Sequence, residues 1–510
     1  MTLPALTTVH HGVAIERRSV QDRTIDDFCQ SVLDCTHHGW RVVSYFGLAV
    51  SGGVRLMMVL ASPVGPELGL LSTSVTTQSL PSLAMYCPQV QLFEREIAEQ
   101  FGLLFEDHPW FKPVRFQPPC DGYTSPFHGD QSQPLQAGNQ DFYRMSGEAG
   151  HQVGVGPVHA GVIEPGHFRF QCFGETVHHL EIALGYQHRG IEALMTDWQP
   201  LRALRLAETI AGDSSIAHAC AHALGVESLH GISASRSALL LRGIAQELER
   251  LANHTGDLGA LAGDVGFMPT ASYCGRIRGD FLNMTALLCG SRFGRGLVTL
   301  GGVSFLPDEA MLRSLRQRLI AASAELTSAI ELLFATPSVM NRFEGIGVVS
   351  RETAAMLGLV GPVARGSGLY RDVRHFRPYG CYNEYVMPVM VQEEGDVRAR
   401  AQVRWDEARQ SLCCIFALLD QLEQSDGIAH VPLGAGFAAD CLVVSLVEGW
   451  RGEVCHVVMT DHAGRIERYK IGDPSFHNWK GLELALRGGQ ISDFPLINKS
   501  FNLSYCGHDL

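Results

Sequence analysis

The sequence predicts an α+β protein, with an N-terminal α/β domain followed by a mainly helical domain. Three observations carry this expectation. The first hundred or so residues mix short strand-like runs with helical patches, a stretch rich in Pro, Gly, Ser and Gln follows, and long segments of helical apolar period fill most of the remainder. The chain has 510 residues, more than one hydrophobic core usually organises, so two domains are expected. Apolar residues make up 46% and charged residues only 18%, a balance typical of a subunit whose surface is partly covered by partners. The net charge is -13 and no Lys/Arg run is present, which argues against nucleic acid as a partner, since phosphate binding needs a basic footprint.

In chain order, residues 1–117 form the first domain. "WRVVSYFGLAV" and "VRLMMVLAS" read as strands, and "TIDDFCQSVLDCTHH" and "QLFEREIAEQFGL" as helices. Residues 118–152 lack an apolar period and read as a linker or surface arm. The second domain, 153–510, opens with the strand-like "HFRFQCFGETVHHLEIAL" and then turns helical over 201–229, 232–260, 272–296, 308–337 and 398–424, which suggests a bundle. Near the end, "CLVVSLVEGWRGEVCHVVMTDHAGRIERYKIG" reads as a hairpin with Ala463 and Gly464 in its turn. A short helix around 479–487 and the tail "PLINKSFNLSYCGHDL" follow.

The start of the chain lacks the basic and apolar runs of a signal peptide, and no apolar stretch reaches the roughly 20 residues of a membrane span. The 14 cysteines are scattered and contain no Cys-x-x-Cys, the pattern of buried thiols in a reducing compartment. The His pairs at 10, 37 and 178 lack a third ligand at metal spacing. "GSRFGRGLVTLGG" is Gly-rich but follows a helix, so it does not meet the dinucleotide-binding pattern.

"EREIAEQFGLLFEDHPWFKPVRF" places Glu94, Arg95, Glu96, Phe101, Gly102, His108 and Pro109 in one window. Its charges surround a helix that Gly102 ends as a C-cap, which reads as a docking element. The window closely resembles the signature of the C-type subunit of bacterial NADH-quinone oxidoreductase. "GPVHAGVIEPGHFRFQCFGETVHHLEIALGYQHRGIEALM" is similar to the opening of the D-type subunit of complex I and of the large subunits of energy-converting [NiFe] hydrogenases, with that of formate hydrogenlyase nearest. "ELERLANHTGDLG", "CGSRFGRGLVTLGGV", "GPVARGSGLYRDVRHFRPY", "GDVRARAQVRWDEARQS" and "EGWRGE" fit the same family. Together they cover nearly the whole chain in the order of a fused C/D architecture.

In hydrogenases of this family, two Cys-x-x-Cys pairs hold nickel and iron, because soft anionic sulfur stabilises and bridges the metals. The resemblance puts the four ligand positions at Ala211, Ser214, Ser504 and Gly507, and Cys506 lies one residue out of register. No metal is therefore expected in this chain. The complex I relatives suggest a quinone headgroup site instead. Here the loop is longer, the family His falls nearest Pro165, and the family Tyr position is Gly212.

The resemblance leaves a polar set around the emptied position: Glu164, His167 and Arg169 from the loop, Asp213 and His218 from the helix start, and Arg451 from "EGWRGE". Such a cluster could relay protons, bind a small ligand or quinone, or persist as a satisfied buried network.

The chain is thus expected to be a peripheral subunit on the cytoplasmic side of the membrane. It would sit beside a small Fe-S subunit that carries a [4Fe-4S] cluster, above antiporter-like membrane subunits, with no cofactor bound directly except a possible quinone. As an oxidoreductase subunit it would work with NAD(P)H or reduced ferredoxin as donor, coupling electron transfer to ion translocation. The alternatives are a non-redox coupling subunit and, disfavoured by the missing thiolates, an active hydrogenase.

Overall fold

The computed structural model describes residues 4–127, 136–138, 140–147, 150–160, 163–197, 199–434 and 436–510. Much of the expected linker, at 128–135, 139 and 148–149, lies outside the described residues, as do 161–162 of the loop before His167.

The N-terminal sheet runs in the order Thr7–His10, Glu67–Val75, Gly53–Ala61, Arg41–Val50, all antiparallel, with Asp22–Arg23 pairing in parallel beside Glu67–Val75. Along Gly53–Ala61 the side chains alternate. Leu56, Met58 and Leu60 meet Phe28 and Val32 of the helix Ile25–His37, while Met57, Val59 and Ala61 join the core shared with the second half of the chain. Burial on both faces explains why this antiparallel strand reads as a continuous apolar run from Leu56 to Ala61.

The helix Gln91–Phe101 ends at Gly102, whose φ of 71° is left-handed. An added Cβ there would collide with the Thr124 carbonyl. The carboxylates of this helix, Glu94, Glu96 and Glu99, are buried. Glu94 accepts from Ser82 Oγ at 2.5 Å and Leu83 N at 2.8 Å, and Glu99 accepts from the backbone N–H groups of Arg115 and Phe116. Glu96 pairs with Arg115 and, at 2.6 Å, with Lys470, which also reaches Glu192 at 2.9 Å. The acidic motif therefore docks the first half of the chain onto the second.

The N-terminal segment crosses over as well. Ile15–Glu16 is the edge strand of the C-terminal sheet, whose order is Ile466–Gly472, Gly452–Thr460, Cys441–Gly449, Ile15–Glu16. A second crossing point is the Arg41–Glu453 ion pair at 2.5 Å. The region expected to be one hairpin holds two. Ala463 and Gly464 lie in the second turn, and Trp450 and Arg451 form the first, between the paired Gly449 and Gly452. Gly452 supplies a φ of 132° that a side chain would resist.

The expected helical segment 201–229 is broken into Pro200–Ala207 and Ser215–Leu229, with 208–214 as a loop between them. The helix Arg236–Asp264, capped by Ser235, is buried almost all round by Met268–Cys289 and Val397–Leu422. Among the described residues no single helix is long and apolar enough to cross a membrane. The bent pair Glu309–Ala335 and Pro337–Phe343 passes on length and composition alone.

Candidate functional site

Several sequence motifs meet around the loop 208–214. The first turn of the C-terminal sheet delivers Arg451, whose guanidinium grips Asp213 with two bonds of 2.5 and 2.8 Å and donates to the Asn502 carbonyl at 2.6 Å. Arg451 also stacks on Trp450, with 3.9 Å to the ring centre, and reaches Ser214 Oγ at 3.5 Å. Trp450 Nε1 and Asn253 Nδ2 donate to the Asp213 carbonyl, each at 2.9 Å. Arg451 is 7% exposed, whereas the Asp213 side chain is 32% exposed.

The tail 500–510 closes on the same loop. Ser504 Oγ caps the last helical turn by accepting from Gly507 N at 2.9 Å. Cys506 lies against Gly212 and Glu164, and burial beside that carboxylate pushes its thiol up to about 11. Glu164 also accepts from Tyr505 N at 3.1 Å. A Cβ on Gly507 would lie 2.6 Å from the Asp473 carboxylate, so this position has no room for a longer side chain without a shift of Asp473.

The structure brings together Glu164, Asp213, His218 and Arg451 and leaves His167 and Arg169 elsewhere. Both belong to the strand His167–Phe173, where Phe168 and Phe170 point into the core. The two-residue period sends 167 and 169 to the opposite face. There His167 packs on Phe142 and contacts the Gly156 carbonyl at 3.2 Å, and Arg169 lies over Phe142.

Sequence reasoning missed five residues. Glu249 accepts from the N–H groups of Ile216 and Ala217 at the start of the helix Ser215–Leu229, and burial near Asp213 raises its carboxyl to about 8. The other four extend His218 into a chain of hydrogen bonds. Asp473 Oδ2 lies 3.1 Å from His218 Nε2, and His218 Nδ1 lies 3.1 Å from His456 Nε2. His456 Nδ1 and His222 Nδ1 each lie 2.8 Å from the Tyr469 hydroxyl, and His222 Nε2 lies 3.2 Å from the Pro200 carbonyl. His222, one turn after His218, was the one legible signal. Tyr469 and His456 face the helix only because the strands pair with Val458 opposite Tyr469.

The chain of bonds has a direction. A carbonyl can only accept, so His222 carries its proton on Nε2 and accepts from Tyr469 at Nδ1. Tyr469 must then accept from His456 Nδ1, which leaves His456 Nε2 as acceptor for His218 Nδ1–H. Burial favours neutral rings at His222, lowered to about 4, and at His456, lowered well below the usual range. His218 therefore offers a proton at both nitrogens when Asp473 is ionised. Asp473 is held below the ordinary carboxylate range, against its burial, by His218 and Arg451. The extra proton of the network thus belongs to the His218–Asp473 pair.

Behind this region lies a second buried charge cluster. Arg365 pairs with Glu407 at 2.7 Å and Glu448 at 2.8 Å, and Arg374 pairs with Asp372 at 2.6 Å and Glu247 at 3.0 Å. Arg250 and His254 complete it. The motifs "ELERLANH", "GPVARG", "YRDVR", "RWDE" and "EGW" converge here.

Comparison with known proteins matches residues 24–133 to the family described as Respiratory-chain NADH dehydrogenase, 30 Kd subunit, and residues 264–436 and 435–509 to the 49 Kd subunit. The Carbon monoxide-induced hydrogenase of Rhodospirillum rubrum is 32% identical over 357 residues, 69% of this chain and 97% of that protein. Formate hydrogenlyase subunit 5 of Escherichia coli is 29% identical over 443 residues, covering 83% and 76% of the two chains. The C/D subunit of NADH-quinone oxidoreductase from Bacteroides thetaiotaomicron is 28% identical over 433 residues, covering 79% and 80%. This chain belongs to the fused C/D family, joining 30 Kd- and 49 Kd-type parts, that is shared by respiratory NADH dehydrogenases and their hydrogenase relatives.

Proposed function

We propose that the chain is a peripheral subunit of a membrane-bound oxidoreductase complex, in which the place of the metal centre has become a proton-holding site. The observation that carries this reading is the directed chain Asp473–His218–His456–Tyr469–His222, adjoining the Asp213–Arg451 pair. A nickel-iron centre does not fit these residues. Ala211 and Gly507 carry no donor, Gly507 has the Asp473 carboxylate where a side chain would go, and the Arg451 cation reaches toward Ser214.

Electrons would come from a [4Fe-4S] cluster in a small neighbouring subunit on the cytoplasmic side, with antiporter-like subunits in the membrane and a quinone as acceptor. NAD(P)H or reduced ferredoxin would be the donor. The part of this chain would be to hold a proton at His218–Asp473 and release it to a reduced acceptor near Asp213 or into the ion-translocating arm. The Pro200 carbonyl cannot take up a proton, so the His222 end is closed and the store discharges only from the Asp473 end.

The test is the Asp473→Asn substitution in the purified complex, with quinone reduction and proton uptake measured together. It removes the titratable carboxylate at the open end of the chain with little change of volume and keeps a side chain that can cap the following helix. Coupled turnover should fall about tenfold or more with assembly intact, at the low end of what general acid–base groups contribute. Turnover within about twofold of the unaltered complex would exclude the relay and leave a scaffold. That scaffold reading has its own support in the complete pairing of Arg451.

A further inference from the structure

A cavity of about 380 Å³ lies at the seam between the two halves of the chain, with Asp372 and Glu448 of the second charge cluster in its wall. Ser62 and Pro63 border it from the first half, and Gly361, Leu369 and the run Tyr370–Val373 from the second. Its charged lining is four arginines, Arg41, Arg351, Arg371 and Arg377, and three carboxylates, Asp372, Glu448 and Glu453.

All three carboxylates are already committed. Glu453 pairs with Arg41, Asp372 with Arg374, and Glu448 with Arg365 while also accepting from Val373 N at 3.0 Å. Among the described residues, Arg351, Arg371 and Arg377 make no ion pair. The Arg371 guanidinium makes one long bond of 3.4 Å, to the Leu359 carbonyl. Arg377 is 6% exposed; one of its nitrogens serves the carbonyls of Ser62, Gly65 and Glu67, and its Nε is buried without a partner.

Arg371 and Arg377, largely buried without a carboxylate, are costly there unless an anion joins them, and the exposed Arg351 adds a third cation at the rim. We propose that this cavity binds a small organic dianion, a phosphate monoester or dicarboxylate, held by Arg351, Arg371 and Arg377. Guanidinium forks match phosphate and carboxylate oxygens in pairs, which suits this ligand class better than a halide. The other wall is apolar, formed by Leu369, Phe376 and the half-exposed Tyr370, and gives the carbon body of the ligand a surface to lie on. Because residues of both halves line the cavity, occupancy would also tie the halves together.

The first arm measures thermal unfolding and calorimetric binding of the full chain with inorganic phosphate and, separately, succinate at millimolar concentration. At least one should raise the melting temperature and bind saturably. Arg371→Gln should weaken that binding about tenfold or more, as loss of a bidentate charged contact does. Arg351→Gln, on the exposed start of a short helix, should weaken it less while leaving the fold untouched. Absence of binding by both anions, or binding unchanged in both variants, would overturn the proposal. The second arm repeats the titration on the assembled complex. Binding to the free chain that vanishes there would mean that a carboxylate of a partner occupies the arginines, and would overturn the small-ligand assignment.

Discussion

The cluster around Asp213 and the cavity around Arg371 are both rich in buried charge, and they balance it in opposite ways. Around Asp213 the cation meets its anion: Arg451 has a bidentate carboxylate and a carbonyl, and Asp473 has His218. Around Arg371 the carboxylates have gone to other arginines, and three cations remain without one. The contrast shows where change is tolerated. A paired network is damaged by losing either member, whereas a repelling cluster gains by losing one.

The largest effect is expected at Asp213→Asn. It leaves Arg451 buried with a neutral amide, and stability should fall by roughly 3 kcal/mol, measured by urea unfolding of the chain with ligand absent. Arg451→Met should cost less, because the partly exposed Asp213 can turn to water. Equal losses, or none, would undo the contrast.

The pH dependence is next in size. The folded-state value of Glu249, about 8, lies above the ordinary carboxyl value of 4.5, so the folded state binds the proton more tightly. Its contribution is complete below about pH 4.5 and is lost as pH rises through 8. Glu249→Gln should therefore flatten the alkaline side of the stability curve, by roughly 1–2 kcal/mol at pH 8.5. His222 has the opposite sign. Its folded value of about 4 lies below 6.5, so its contribution is present above 6.5 and is lost as pH falls toward 4. Melting temperatures across pH 4–9 check both limbs.

Arg371→Gln in the absence of any anion should leave stability unchanged or raise it by up to about 1 kcal/mol, since it relieves repulsion from Arg41 and Arg377 that, after burial, helps lower the Arg371 guanidinium to about 10. A loss above about 1 kcal/mol would show that the cavity is as tightly paired as the Asp213 cluster. The smallest effect belongs to Cys506→Ser. The thiol is a protonated, partly buried group one position away from a ligand register, and turnover and stability should both stay within about 0.5 kcal/mol of the unaltered chain.

Much of this was legible in the residues. The α+β class, the helix 91–101 with Gly102 as its cap, two strands of the first sheet, four of the five helical regions and the family itself follow from local period and motif, because burial imposes the same 3.6- and 2-residue rhythm wherever a helix or strand meets a core. The absence of thiolates at 211, 214, 504 and 507 is a fact of composition, and so is the presence of Glu164, Asp213, His218 and Arg451.

What the residues could not say is which distant groups would meet. Nothing along the chain distinguishes Glu96, an ion-pair partner of Arg115 and Lys470, from a solvated helix charge, or separates His167, sent outward by strand alternation, from His218. Asp473, His456 and Tyr469 join His218 across more than two hundred residues through one strand register and one helix packing. Hydrogen bonds and ion pairs depend on distances of a few ångströms between chain segments. Only the packed tertiary structure sets those distances, and with them which buried charges find partners and which are left to wait for a ligand.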